Sequence, residues 1–237
     1  KYLGSYYLCE QVRVGKSRVN IDDLAENDET KAITSGSAIT GGYLLACEQE
    51  DDRLNINTEK GMTFAIESPD FEDYTNVEQY NYISNYVQQT ENAIFGKNFK
   101  DSDGILYDEY LDVDSAIDYY WVQEFSLNGD AFGSGSTYLY KKRNGKLYWG
   151  PLWDFDYVAW GATEFSGENQ VEGLNLARNP WFIKLFSNEK FRNKFAARWP
   201  YIKEKLLEGI KDGGIIDTYS KKQYASQKAN YNVNEKY

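Results

Sequence analysis

The chain has 237 residues, 41% hydrophobic and 16% aromatic, enough for a large core in one domain or two lobes and too apolar for a disordered segment. Its formal charge of −11 excludes a nucleic-acid backbone as the natural partner. Having no histidine, it excludes His-based triads, most zinc sites and a histidine pH switch, so acid–base chemistry must fall to carboxylates.

In chain order, YLGSYYLCEQVRV (2–14) and SRVNI (17–21) read as a hairpin over a Gly15-Lys16 turn. DDLAENDETKAI predicts a short helix followed by a Ser/Gly loop. Gly41-Gly42 leads into the strand YLLACEQE, Asp51 to Lys60 reads as a polar connection, and MTFAIESPD closes an N-terminal sheet at Pro69. Cys9 and Cys47 both sit in apolar strand-like runs. They are expected to be buried free thiols, with a disulfide between neighbouring strands as the alternative.

From Asn76 to Ile94 the spacing of Val77, Tyr80, Ile83, Tyr86, Val87 and Ile94 predicts a helix that stops at Gly96. DSDGILYDEY (101–110) invites a calcium-loop reading. With Gly104 aligned to the loop glycine, however, Phe99 and Tyr110 fall at the terminal ligand positions, so a glycine turn before a helix is the better reading. Asp112 or Asp114 caps the next helix, whose apolar set includes Ala116, Ile117, Tyr120, Val122 and Phe125. STYLYKKRNGKLYWGPL is a hairpin, with Asn144-Gly145 signalling a type I′ turn. PWFIKLF, FRNKFAARWPYIKEKLLEGI and a polar helical tail complete the chain. A β-rich part, residues 1–70, followed by a mainly helical part, residues 71–237, with a hairpin at 136–153, gives an α+β architecture with a cleft between lobes as the natural site. No run is long enough to span a membrane and no signal peptide opens the chain. Lys1 opens inside a strand pattern, so the chain is expected to begin late in a longer protein; the acid excess fits a secreted or surface protein.

The stretch Trp121 to Gly161 holds the chemistry. Asp154 and Asp156, in an extended segment after the hairpin, are two residues apart and so point to one side, as a shared cation requires. The competing reading is a solvated acid pair. Asp130, after Asn128-Gly129, is either a turn aspartate bonded to its own backbone or an acid that orients a hydroxyl. Ser134, Ser136 and Thr137 are nearby oxygens for a cation or a strand cap. Lys141, Lys142, Arg143 and Lys146 are expected to be solvated around the hairpin turn; one facing the cleft would meet a nucleotide phosphate, with Lys141 and Arg143 the candidates. Acids at element ends among glycines and aromatics suit metal-assisted phosphoryl transfer.

The segments LGSYYLCEQVRVGKSRVNI, GGYLL with IESPD, LDVDSAIDYYWVQEFSLNGDAFGSGSTYLYK, KLYWGPLWDFD and NPWFIKLFSNEKFRNKFAARW, in that order, span most of the chain. Together they resemble the CotH kinase family, named for the spore coat protein H. The resemblance implies a two-lobed atypical protein kinase-like fold that binds ATP and Mg²⁺ or Mn²⁺ and transfers the γ-phosphate to protein serine or threonine. It gives Asp130 the role of the acid that orients the acceptor hydroxyl, and Asp154, in a DFD arrangement, that of metal-binding acid with Asp156 as partner. Ser136 is the first candidate for a further metal oxygen. A bacterial secreted or cell-surface location, including a spore surface, goes with the resemblance. Many members place a lysine before Ser-Pro where this chain has Glu67, an acid that would repel a nucleotide. That departure keeps a second reading in play, a catalytically lapsed binding or scaffold module. A calcium-stabilised carbohydrate-binding module is a third, disfavoured by the helical C-terminal half.

Overall fold

The computed structural model builds its sheet from short, largely buried runs of the chain. It describes residues 9–48, 53–71, 76–129, 131, 136–155, 159–160, 173–174 and 179–234. The chain forms two units: Val12–Phe195, and Lys1–Gln11 together with Ala196–Tyr237.

In the first unit, helix α1 (Asp28–Lys31) begins at Asn27, whose side chain accepts from Glu29 N and Thr30 N. Strands β1 (Tyr43–Ala46), β2 (Asn55–Asn57) and β3 (Thr63–Ser68) are followed by α2 (Val77–Phe95), α3 (Tyr107–Tyr110) and α4 (Val113–Ser126). The hairpin β4 (Tyr138–Lys141) and β5 (Leu147–Trp149) comes next, then α5 (Pro180–Phe186) and α6 (Glu189–Ile210), which enters this unit as far as Phe195. The strands make one antiparallel sheet in the order β2-β3-β1-β4-β5. It draws strands from both sides of residue 70, because Leu45 of β1 lies between Ile66 of β3 and Leu139 of β4. The architecture is α+β.

Alternate strand residues (Tyr43, Leu45, Phe64, Ile66, Leu139, Leu147, Trp149) face helices α2, α4 and α5 in one buried core. Its centre is aromatic: Tyr120 lies 5.0 Å from Phe182, and Trp149 lies 4.8 Å from the same ring. Such ring pairs add about 0.5–1.5 kcal/mol each beyond their buried area. Glu91, buried on α2, accepts from Lys60 N at 2.8 Å and from the Trp181 indole at 2.9 Å, so one carboxylate joins α2 to the β2–β3 turn and to α5. Asp112 caps α4, one of the two caps the sequence offers, and Asn76 caps α2. The 101–110 segment is a turn leading into α3: Asp101 accepts from Asp103 N, Ile105 N and the Tyr110 hydroxyl, so its oxygens are committed to local structure.

Four expectations change. Residues 1–8 of the first predicted hairpin lie outside the described residues. From 9 to 21 there is no ladder, only a bridge between Val14 and Val19. The bond from Ile21 N to Val19 O, 2.9 Å, bends the chain out of line just past that bridge. The polar connection holds strand β2, since Ile56 between two asparagines is buried opposite Phe64. The β4–β5 turn is not type I′: Gly145 N bonds Lys142 O at 3.0 Å and Asn144, at φ 51, takes the left-handed position alone. Asn144 is held there by Thr40, whose hydroxyl accepts from Asn144 N at 2.9 Å, and a Cβ at Gly41 would overlap the Lys142–Arg143 backbone. Finally, Cys47 is a buried free thiol but Cys9 is exposed and free.

In the second unit the residues of α6 from Ala196 on are followed by a Gly213-Gly214 turn and helix α7 (Ile215–Asn234), the polar helical tail predicted. Gly213 sits at φ 72 and its N–H donates to Asp217, so the turn needs glycine's left-handed freedom. Among the described residues no helix is long and apolar enough to cross a membrane.

Candidate functional site

Helix α4 stops because Leu127 turns left-handed, at φ 50, and its N–H bonds back to Glu124 O at 3.1 Å while Asn128 N bonds Gln123 O at 3.1 Å. That stop aims Asn128 inward. Its side chain has no exposure, and its amide donates to the carbonyl of Asp154 at 3.3 Å. On the other side, Cys47 N donates to Thr137 O at 2.7 Å and Gly150 N to Tyr138 O at 2.8 Å, tying the N-terminal end of β4 to both neighbouring strands. Ser136, just before that ladder, turns its hydroxyl to Asp154: Oγ donates to Oδ2 at 2.8 Å. Asp154 is exposed.

Of the described non-glycine residues, seven have positive φ, and four of them meet here: Leu127 (50°), Ser136 (54°), Asp154 (62°) and Trp160 (63°). Each such backbone costs about 1–2 kcal/mol and survives only where its surroundings hold it. The holding bonds are visible. Trp160 N donates to Ser126 O at 2.6 Å, and the Trp160 ring meets Phe125 edge-on at 5.7 Å.

Of the residues singled out in the sequence, Ser136 and Asp154 are brought together. Asp130 and Asp156 lie outside the described residues. Asp154 has a left-handed φ of 62°, not the extended backbone expected for it, and its carboxylate accepts from Ser136.

Lys141 and Arg143 sit at the other end of the hairpin, with about 13 Å of strand between Thr137 and Lys141. Lys141 is not solvated as expected but 1% exposed. Its ammonium donates to Thr40 O at 2.7 Å, Gly145 O at 2.6 Å and Lys142 O at 3.0 Å, and lies 4.3 Å from the centre of the Tyr86 ring. Burial pushes it down to about 8, so it is still mostly protonated at neutral pH. The strand alternation that buries Leu139 buries Lys141 with it. Replacing Lys141 with Met is expected to cost about 3 kcal/mol, because carbonyls buried beside it lose their donor. A urea titration that leaves the midpoint unmoved would contradict this. Arg143 pairs with Asp22 at 3.0 Å, both side chains 39% exposed, a rim contact of small energetic weight.

Glu67 on β3 forms an ion pair with Arg53, the acid 16% and the arginine 30% exposed. The charge that seemed adverse in the sequence is therefore balanced by a neighbour.

The donor set is all oxygen, one exposed carboxylate beside one hydroxyl. Magnesium and manganese suit such a set, since they retain water and are commonly completed by one or two carboxylates and phosphate oxygens. Among the described residues no three His, Cys, Asp or Glu side chains cluster as a closed metal cage. A cavity of about 500 Å³ lies between α4 and the hairpin, bordered by Ser115, Tyr119, Tyr140, Trp149, Pro151 and Leu152, the last only two residues before Asp154.

Sequence reasoning missed Asn128, read only as part of a turn. An asparagine directly after a helix end, before Gly-Asp, was the available signal. No curated protein and no solved structure matches the chain. The family model described as CotH kinase protein matches residues 1–236.

Proposed function

The chain belongs to the CotH kinase family, and from that premise we propose that it transfers the γ-phosphate of ATP to serine or threonine of a protein substrate, with Mg²⁺ or Mn²⁺. The observation that carries the reading is the Ser136–Asp154 pair, 2.8 Å apart, set at the end of α4 and beyond β5 by strained backbone that the neighbouring residues hold.

In this reading Asp130 orients the acceptor hydroxyl and takes its proton as the hydroxyl oxygen bonds to the γ-phosphorus. The bond from that phosphorus to the bridging oxygen breaks, and ADP leaves. Asp154 and Ser136, with Asp156, would hold the cation, which when bound offsets charge on the phosphate oxygens. The protein's work is positioning, which can supply about 7–11 kcal/mol of a barrier without covalent chemistry. Pairing of Glu67 with Arg53 supports the reading, because it removes an uncompensated negative charge from β3. A secreted or cell-surface setting, with a spore surface as one case, fits the net charge of −11. Glu67 in place of a lysine favours a second reading, a kinase-like binding module whose chemistry has lapsed.

Thermal unfolding with ATP and Mn²⁺, together with transfer of labelled γ-phosphate to a serine- and threonine-containing protein, separates the two. At about 100 times the dissociation constant the ligand should add about 2.7 kcal/mol of stability, lost on chelation, and label should appear in the protein. A result of neither gain nor label would remove the phosphoryl-transfer reading and support the lapsed module.

A further inference from the structure

We propose that Asn128 is the positioning residue of this site: its buried amide holds the Asp154 carbonyl, and by fixing that peptide it keeps the Asp154 carboxylate turned toward Ser136. The inference deepens the phosphoryl-transfer reading and rests on it for the meaning of the carboxylate.

Asn128 is an amide with no exposure at the end of a 14-residue helix. Its backbone N–H makes the closing bond of that helix, to Gln123 O, and its backbone carbonyl accepts from Ala131 N at 3.1 Å. The side chain therefore projects from a fixed base. It crosses 26 positions of sequence to reach Asp154 O. Asp154 at φ 62 would relax to an ordinary extended conformation if released, and that rotation would swing its carboxylate away from the Ser136 hydroxyl. A second tie lies close by, where Trp160 N donates to the carbonyl of Ser126, two residues before Asn128. The last turn of α4 thus grips the chain at Asp154 and again at Trp160. Asparagine is the residue type required, because the partner is a carbonyl and needs a donor; aspartate has the same size but offers only acceptors.

Two measurements test this, one without any ligand. In a double-mutant cycle read by urea midpoint, Asn128→Ala and Ser136→Ala should be coupled: once Asn128 is gone, removing the Ser136 hydroxyl should shift the midpoint by less than half as much as it does in the wild type. Additive shifts would overturn the proposal, whatever the fate of the phosphoryl-transfer reading. The second compares affinity for Mn²⁺·ATP, read by the paramagnetic enhancement of water relaxation, in wild type and Asn128→Asp. At least a 10-fold loss is expected, in the range found when the supports of metal ligands are removed. Affinity within 2-fold of wild type, in a variant that still unfolds cooperatively, would overturn it. Failure of the wild type to bind Mn²⁺·ATP would instead overturn the phosphoryl-transfer reading, while the cycle still decides whether Asn128 positions Asp154.

Discussion

Asp154→Gly is expected to abolish metal-dependent nucleotide binding while leaving the fold as stable as wild type or more so, and Asp130→Asn is expected to keep binding and end turnover. Glycine is the informative replacement at 154. The backbone there is left-handed at φ 62, a conformation that alanine would occupy at a cost of about 1 kcal/mol and glycine occupies freely. Loss of the carboxylate is then separated from any damage to the fold. A residue that lowers stability where it stands, yet is set between a serine and a buried amide, has the signature of a site kept for function. For turnover, loss of a group that orients and deprotonates the acceptor costs about 10²–10⁴-fold. Binding by isothermal calorimetry and single-turnover transfer of labelled phosphate distinguish the two variants. If Asp154→Gly bound Mn²⁺·ATP as the wild type does, Asp154 would not be a metal ligand. If Asp130→Asn kept its rate, the hydroxyl-orienting role would pass to another residue.

What the sequence displayed and what it concealed divide along one physical line. Apolar periodicity and caps are local, and they placed α2, α4, β1, β3 and the β4–β5 hairpin, together with Asp112 as a cap. The short strand β2 escaped because its only apolar residue is Ile56, and a three-residue alternation is no signal until Phe64 is found opposite. Lys141 was misjudged for a related reason: a lysine in a strand reads as solvent-facing unless the carbonyls that receive it are known, and one of them, Thr40, is 101 residues away. The Ser136–Asp154 meeting depends on left-handed backbone at residue types that do not favour it, and nothing local announces that. The motif order supplied the residues of the site; only the fold supplied the direction in which Asp154 points.

Alkaline pH is expected to unfold the first unit cooperatively between about pH 10 and 12, and the sign follows from its buried acids. Burial pushes the Cys47 thiol up from 9.0 to about 12 and the Tyr107 and Tyr119 hydroxyls up from 10.0 to about 12, and it raises Tyr120 as well. These four residues are at most 5% exposed. A group whose folded value is raised gives stability that is complete below its unfolded value and is lost as pH climbs through the interval. In that interval the unfolded chain has released the proton and the folded chain has not. Each such group removes about 1.4 kcal/mol per pH unit. Lys141 acts oppositely. Its value falls from 10.5 to about 8, so between those limits the folded chain has lost a proton that the unfolded chain keeps, and its contribution rises with pH. From pH 9 to 10 this offsets Cys47 and the net slope is close to flat. Above pH 10 the three tyrosines join Cys47, and these four groups alone remove about 5 kcal/mol per pH unit, lightened by Lys141 only up to 10.5. A domain holds about 5–15 kcal/mol in total, so one to two units suffice to unfold it. Circular dichroism and the phenolate absorbance at 295 nm, followed together, should show these tyrosines ionising at the same pH at which helix is lost. Complete phenolate formation with the helix signal intact would mean that Tyr107, Tyr119 and Tyr120 are reached by water. The aromatic centre that sets α4 against β5, and with it the position of Asn128, would then be looser than the packing of Tyr120 against Phe182 requires.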